Sequence, residues 1–444
     1  MGVSSESRTS AAKPEMNDSA RAAKRKAAMN FSIAGILIAS VGIAVGFGIR
    51  KPHATPRHHP SYVVVYTVGF MPAQGVAEVT IGVTPRDGRV SQVRLTMPAD
   101  RYDRISGDGA IVRDGDTVVW SPETDRPQQL RYTYRINAQR ASGGYDALMT
   151  PEWVVVRADD LIPPAAVRAT KDSESSARLV FRLPKGWPTV DTPYGRSRVA
   201  NTFVVATPHR SFDRPMGWVV AGRLGVRRER VGKTQIVVAG PVGQDLRRMD
   251  TLAFLNLLIP QYRSAFGDLP PKLLVVTAGD PMWHGGLSGP RSLFLHADRP
   301  LISENGTSTL THEMTHVVTR IRGAKGADWI AEGLAEFYAI ELNRRAGLLS
   351  DKRAATGLAW MQEHGKAVPT LAAAQSRRER TARAVVVFSE LDREIRQASA
   401  GKASLDTVVR DLMKQRTISL QDLRQAAARA SGKSSAVLTS PLLD

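Results

Sequence analysis

Cysteine is absent from all 444 residues, which excludes a disulfide framework, a thiolate metal site and a cysteine nucleophile. Any metal must then be held by histidines and carboxylates. The same absence leaves the redox compartment open, because it suits an oxidising and a reducing space equally. Aromatic residues make up only 6% of the chain and are not interleaved with its basic residues. With no zinc knuckle, helix-turn-helix or single-strand-binding signature either, specific nucleic-acid recognition is not expected. Acidic residues are the minority, 42 against 61 Lys plus Arg, giving a formal charge of +19. That field would attract anionic lipid or polymer, although charges so scattered read first as solvated surface.

The chain is longer than one hydrophobic core can usefully grow, so two or three folding units are expected. Residues 31–49, FSIAGILIASVGIAVGFGI, carry no charge and are nearly as long as the ~20 residues that span a bilayer. We expect a transmembrane helix over 29–49. Arg8, Lys13, Arg21, Lys24, Arg25 and Lys26 precede it, whereas only Arg50, Lys51 and Arg57 follow it before Pro60. That asymmetry predicts a cytoplasmic tail, 1–28, with residues 50–444 extracytoplasmic, periplasmic or extracellular. A cleaved signal peptide is the alternative, but the apolar run is long for one and no A-x-A site follows it. Residues 50–60, RKPHATPRHHP, suit an extended linker.

From 61 to 240, short runs with period-two alternation (SYVVVYTV, EVTIGVTP, SQVRLTM, LRYTYRI, ARLVFRL) recur between turn residues, predicting a β-rich, sandwich-like domain. Helical patterns begin near 241, with Gly267 expected to stop the first helix. PKLLVVTA and RSLFLHA read as strands and GDPMWHGGLSGP as the loop between them. From Arg345 onward the pattern is nearly all helical.

The segment TLTHEMTHVVTRI places Leu310, Met314, Val317 and Ile321 on one helical stripe, which should face a core. His312 and His316 lie four residues apart on another side, about 40° around the axis. This is H-E-x-x-H, in which two neutral imidazoles hold zinc and Glu313 acts as general base. Alone it could also be a helix bearing two surface histidines. Glu332, sixteen residues past His316, lies in ADWIAEGLAEFYAIELNRRAG, where Asp328 can cap a second helix and Gly347 end it. That helix could return the Glu332 carboxylate as third ligand of one zinc ion per chain. Glu336, one turn on, could accept from the ring nitrogen of His312 or His316 that is not bound to metal. A solvated acidic face is the alternative for both glutamates.

With Trp329–Phe337 reading WIAEGLAEF, these residues resemble the W-x-x-E-G-x-A-E-[YF] pattern of gluzincin zinc metallopeptidases, and most nearly the glycyl aminopeptidase family and related thermolysin-like aminopeptidases. The resemblance is sharp over 284–345 and diffuse elsewhere. It implies a multidomain α+β fold: after the β-rich domain, a thermolysin-like catalytic domain at 241–345 and a helical domain at 346–444. It further implies peptide or protein substrates and a substrate-binding segment at Gly285, Gly286, Leu287 and Ser288. Two positions depart from the family pattern. Ser288 stands where the relatives have a glutamate, which in the aminopeptidases binds the substrate's free amino group. Thr381 stands where they have a tyrosine that stabilises the oxyanion. Tyr338, His364, Arg380 and Arg383 are candidates to replace that tyrosine. Substrate is expected to lie extended along RSLFLHA, adding to a sheet edge. The alternative expectation is a zinc-retaining pseudo-peptidase that serves as a binding or scaffold protein in the cell envelope.

Overall fold

In strand Ser61–Met71 every second side chain is buried, with Tyr62, Val64, Tyr66, Val68 and Phe70 facing inward. This is the periodicity of a strand with one face on a core. It is a central strand of a computed structural model that describes residues 59–206 and 212–443. The transmembrane segment expected at 29–49 lies outside these residues. Among the described residues no helix is long and apolar enough to cross a membrane.

Ser61–Met71 pairs in parallel with Glu174–Arg182 and antiparallel with Val76–Pro85, within a seven-stranded sheet. A four-stranded sheet, running Ala165–Ala169, Val90–Thr96, Thr117–Ser121, Ala110–Asp114, shares its core. Val93, Leu95 and Trp120 pack in one cluster with Tyr62 and Tyr66, so the β-rich part is a sandwich.

A third sheet, built on Thr189–Asp191, Trp218–Gly222, Trp153–Arg157 and Tyr145–Met149, is covered on both faces. Val154, Val156, Val219 and Ala221 point into the sandwich core. Trp153, Val155, Trp218 and Val220 point the other way, onto a fourth sheet. This fourth sheet, which positions the site, has the order Leu224–Val231, Thr234–Pro241, Lys272–Ala278, Ser292–His296, Gly286–Gly289. Its three central strands are parallel, and both its faces are buried, which explains their near-continuous apolar sequences. Leu224–Val231 and all but the last residue of Thr234–Pro241 fall within the 61–240 segment of the sequence reading, yet they are hydrogen-bonded into the sheet beneath helix Thr309–Thr319.

The RSLFLHA strand is interior to this sheet rather than at its edge. The edge is Gly286–Gly289, read from sequence as loop. It pairs antiparallel with Ser292–His296, so the expectation that RSLFLHA lies at a sheet edge is not met.

The helices among the described residues are α1 (Ala158–Leu161), α2 (Arg248–Phe266), α3 (Thr309–Thr319), α4 (Asp328–Arg345), α5 (Asp351–Gly365), α6 (Glu379–Ala398), α7 (Leu405–Leu412) and α8 (Leu420–Ser431). Gly267 follows α2 with a φ of 88°, as its sequence position implies. Leu258 of α2, Leu310 and Met314 of α3, Trp329 of α4, Phe388 of α6, Val408 of α7 and Leu423 of α8 belong to one core cluster. The helices after residue 345 therefore do not build a core of their own. They complete the core of α2–α4, and all described residues fall in one compact unit.

Candidate metal centre

Helix α3 is fixed at its start by Ser308, whose side chain accepts the backbone N–H of Thr311. Leu310, Met314, Val317 and Ile321 are all buried, as their spacing predicts. A second, polar stripe holds the helix in rotation. The Tyr262 hydroxyl of α2 donates to the Thr311 carbonyl at 2.6 Å and lies 3.0 Å from Thr315 Oγ1. Thr311 Oγ1 donates to Asn343 Oδ1 of α4. Buried groups paired this way resist sliding, because a slipped helix would leave them unsatisfied.

Helix α4 is apolar around most of its circumference, with Trp329, Ile330, Leu334, Phe337, Tyr338 and Leu342 buried, so it runs through the core. Asp328 does not cap it. The cap position is Ala327, with no side-chain cap bond, and the Asp328 carboxylate instead accepts the Ser376 backbone N–H at 2.8 Å. Gly347 follows the helix in the left-handed region, as expected of its stop. Gly333 lets α6 approach closely beside Glu332, for a Cβ there would stand 2.5 Å from Ala384 Cβ.

These constraints bring His312, His316 and Glu332 together. One ligand atom of each lies within 4.8 Å of the others. His312 Nε2 and His316 Nε2 face one another at 3.2 Å, and each stands 3.4 Å from an oxygen of Glu332. Glu336 Oε2 lies 2.7 Å from His312 Nδ1, which places a proton on Nδ1 and turns the other ring nitrogen toward His316 and Glu332. Of the two imidazoles, Glu336 serves His312.

Burial alone would lower the His312 pKa, but hydrogen bonds to Glu332 and Glu336 outweigh it and raise it well above the usual imidazole range. Burial and the neighbouring His312 charge push His316 down to about 4. Burial would raise Glu332, yet its contact with His312 and the His316 ring leave it below the ordinary carboxylate range. Two ring nitrogens thus face one another beside a carboxylate. Such a constellation wants positive charge at its centre, and two imidazoles with one carboxylate are the donor set that zinc accepts. The residues present fit that ion.

Glu313 lies alongside, on the flank of edge strand Gly286–Gly289. A Cβ on Gly286 would stand 2.7 Å from Glu313 Cγ and 2.7 Å from Thr309 Cγ2, so only glycine lets the strand lie this close to α3. Burial raises the Glu313 carboxyl above its usual range, and hydrogen bonds from the Ser288 side chain and backbone partly offset this. The Ser288 carbonyl in turn accepts from Arg157, and the Leu287 carbonyl accepts the Trp218 indole N–H at 2.9 Å. The Gly286–Leu287–Ser288 strand is therefore held from the β-rich side. Gly285 is packed against the Trp283 ring.

The four residues named for the oxyanion role are placed as follows. Tyr338 is fully buried and donates its hydroxyl to Asp406 at 2.8 Å, so its hydroxyl is already engaged. Arg380 donates to the Thr370 carbonyl, His364 stacks on Trp360, and the Arg383 backbone packs on Gly365. Thr381 Oγ1 lies 3.1 Å from Ser376 Oγ. Sequence reasoning missed Ser308, Tyr262 and the two threonines. A Ser three residues ahead of the buried turn was the available signal for the first.

No family profile matches the chain, and no curated protein matches it in sequence. Solved structures do match in fold. An aminopeptidase N family protein from Idiomarina loihiensis matches with a TM-score of 0.59 at 13% identity, over 86% of this chain and 74% of its own. A mutant M1 zinc metallopeptidase from Deinococcus radiodurans, bound to a Tyr-Ser-Ala substrate, gives 0.52 at 15% identity over 87% and 96%. Aminopeptidase A from Legionella pneumophila, in complex with aspartic acid, gives 0.52 at 12% identity; it is covered over 50% of its length, against 88% of this chain. The described part of the chain has an α+β fold similar to that of M1 zinc metallopeptidases.

Proposed function

From a fold shared with M1 zinc metallopeptidases, we propose that this chain is a membrane-anchored zinc metallopeptidase that hydrolyses peptide bonds. The observation that carries the reading is the convergence of His312, His316 and Glu332 on one point, with Glu336 fixing the His312 tautomer. These three residues would hold one zinc ion, which when bound supplies Lewis acidity toward a carbonyl oxygen and toward water.

The chain's own residues do the rest. Glu313, kept above the ordinary carboxylate range by burial, is the general base that takes a proton from the attacking water and returns it to the leaving amine. Gly286–Gly289 offers backbone groups to an extended peptide as an added strand. The Tyr-Ser-Ala bound to the Deinococcus protein supports a peptide ligand of this kind. The uncharged run at 31–49, with its basic N-terminal flank, supports a cytoplasmic N-terminus and an extracytoplasmic catalytic part.

In the full chain, Glu313→Gln should abolish cleavage of a peptide library while zinc content stays unchanged. Retained cleavage would remove Glu313 from the mechanism. Where the library is cut, at its N-terminus or internally, reads whether Ser288 in place of a glutamate has cost the enzyme its grip on a free amino group. A second reading, a zinc-retaining pseudo-peptidase with a binding role, is favoured by the Thr381 hydroxyl lying against Ser376. Stoichiometric zinc with no cleavage of any library member would establish that reading instead.

A further inference from the structure

Beyond the His312 centre, the carboxyl ends of two adjacent parallel strands carry a second histidine cluster. Asp280 follows Lys272–Ala278, and His296 ends Ser292–His296. His284 lies on the intervening segment, its ring stacked on that of His296 with centroids 3.9 Å apart and planes 19° from parallel. Both rings present the same edge to the same carboxylate. Asp280 Oδ1 is 2.6 Å from His284 Nε2 and 3.7 Å from His296 Nε2. On the opposite edge Asp298 Oδ2 stands 3.7 Å from His284 Nδ1 and 3.8 Å from His296 Nδ1. Two imidazoles are thus clamped between two aspartates.

The His296 side chain is 1% exposed, yet its Nε2 has no hydrogen-bond partner and points into the cluster. A buried ring nitrogen without a partner costs free energy unless something satisfies it. One ligand atom from each of Asp280, His284 and His296 lies within 4.8 Å of the other two. Nothing in the His312 centre calls for this arrangement.

We propose that Asp280, His284 and His296 form a second metal site, for a divalent transition cation of the zinc class, separate from the His312–His316–Glu332 centre. Two imidazoles and one carboxylate match that class, with a water completing four-coordination. His296 Nδ1 accepts the Asp298 backbone N–H at 3.2 Å, so the neutral ring carries its proton on Nε2. Metal uptake releases the Nε2 proton to solvent while Nδ1 takes one up and gives up the Asp298 backbone N–H as its donor. The Asp298 carboxylate, 3.8 Å away, must then close on Nδ1 to accept that proton, as in carboxylate–histidine–metal triads. An ion here would tie Asp280 and His284 to the end of the central strand. His284 is held already by Arg299, which donates to its carbonyl. The segment it anchors leads directly into edge strand Gly286–Gly289.

The test is zinc uptake by the full chain in equilibrium dialysis at micromolar free zinc. His284→Ala and Asp280→Asn alter exposed side chains and should each lower uptake by one equivalent without shifting the thermal unfolding midpoint of the metal-free protein. His316→Ala should keep that equivalent. If the catalytic reading fails, His316→Ala changes nothing and the difference made by His284→Ala persists, so the two proposals fail separately. Uptake by His284→Ala and Asp280→Asn equal to that of the unaltered chain would overturn the second site. So would a chain whose uptake disappears entirely in His316→Ala.

Discussion

Ser288 and Glu313 form the pair in which a single atom has the clearest consequence. Hydrogen bonds from Ser288 pull the Glu313 carboxyl down, against the upward push of burial. Removing the hydroxyl with Ser288→Ala takes away one lowering contribution, so the carboxyl should titrate higher still. The base form is then lost earlier as pH falls, and the acid limb of kcat/KM should move to higher pH than in the unaltered chain. A limb that stays put or moves to lower pH would mean that the hydroxyl does not act on Glu313. The convergence of His312, His316 and Glu332 was legible in the sequence, because an i, i+4 pair and a helix returning after a short turn leave little freedom. Ser288 was legible only as a departure from a family pattern. Its partner could not be read, since the contact joins residues 25 positions apart.

At the scale of elements, the edge strand and α3 are in contact through a position with no side chain. Gly286→Ala would place a methyl group 2.7 Å from Glu313 Cγ, so either the strand or the carboxylate must move. A displacement near 1 Å at a catalytic group costs about a hundredfold in rate. We expect a loss of that order in kcat/KM, with zinc content and unfolding midpoint little changed; an unaltered kcat/KM would show that the close approach is not used. The sequence concealed this strand. Three of the eight residues from Gly285 to Ser292 are glycine, a composition that reads as loop, and only pairing with Ser292–His296 makes four of them a strand. The helices were easier, since Leu310, Met314, Val317 and Ile321 carry their period openly. Asp328 misled as a cap because its carboxylate is taken by Ser376, 48 residues away.

For the whole molecule, the decisive polar contact is Asp191. Its side chain is fully buried in the third sheet and reaches Lys272 Nζ of the fourth at 2.6 Å and Arg228 at 2.6 Å. Burial alone would raise its pKa, but Lys272, Arg228 and Arg196 outweigh that and lower it. A carboxyl depressed in the folded state stabilises above its unfolded pKa, and that stability drains away as pH falls through the folded value. Asp191→Ala would leave the Lys272 ammonium buried without its partner, at a cost of about 3–5 kcal/mol. Denaturant unfolding at neutral pH should show that loss, and the acid branch of the stability curve should flatten in the variant. A change under about 1 kcal/mol would place the strength of the junction elsewhere. A change of periodicity near residue 241, roughly between the β-rich and helical halves, was visible in the sequence, although the strands Leu224–Val231 and Thr234–Pro241 before it belong to the sheet beneath the helices. The sheet between the halves was not visible, because Trp153–Arg157 is buried along nearly its whole length and so lacks the alternation that marks a strand with one wet face.

That doubly covered sheet makes each half the other's lid. Were the helical half to melt first, Trp153, Val155, Trp218 and Val220 would be stranded in water; were the sandwich to go first, Val154, Val156, Val219 and Ala221 would be. Neither departure leaves a tolerable remainder. A calorimetric scan of the chain should therefore trace one peak, not two.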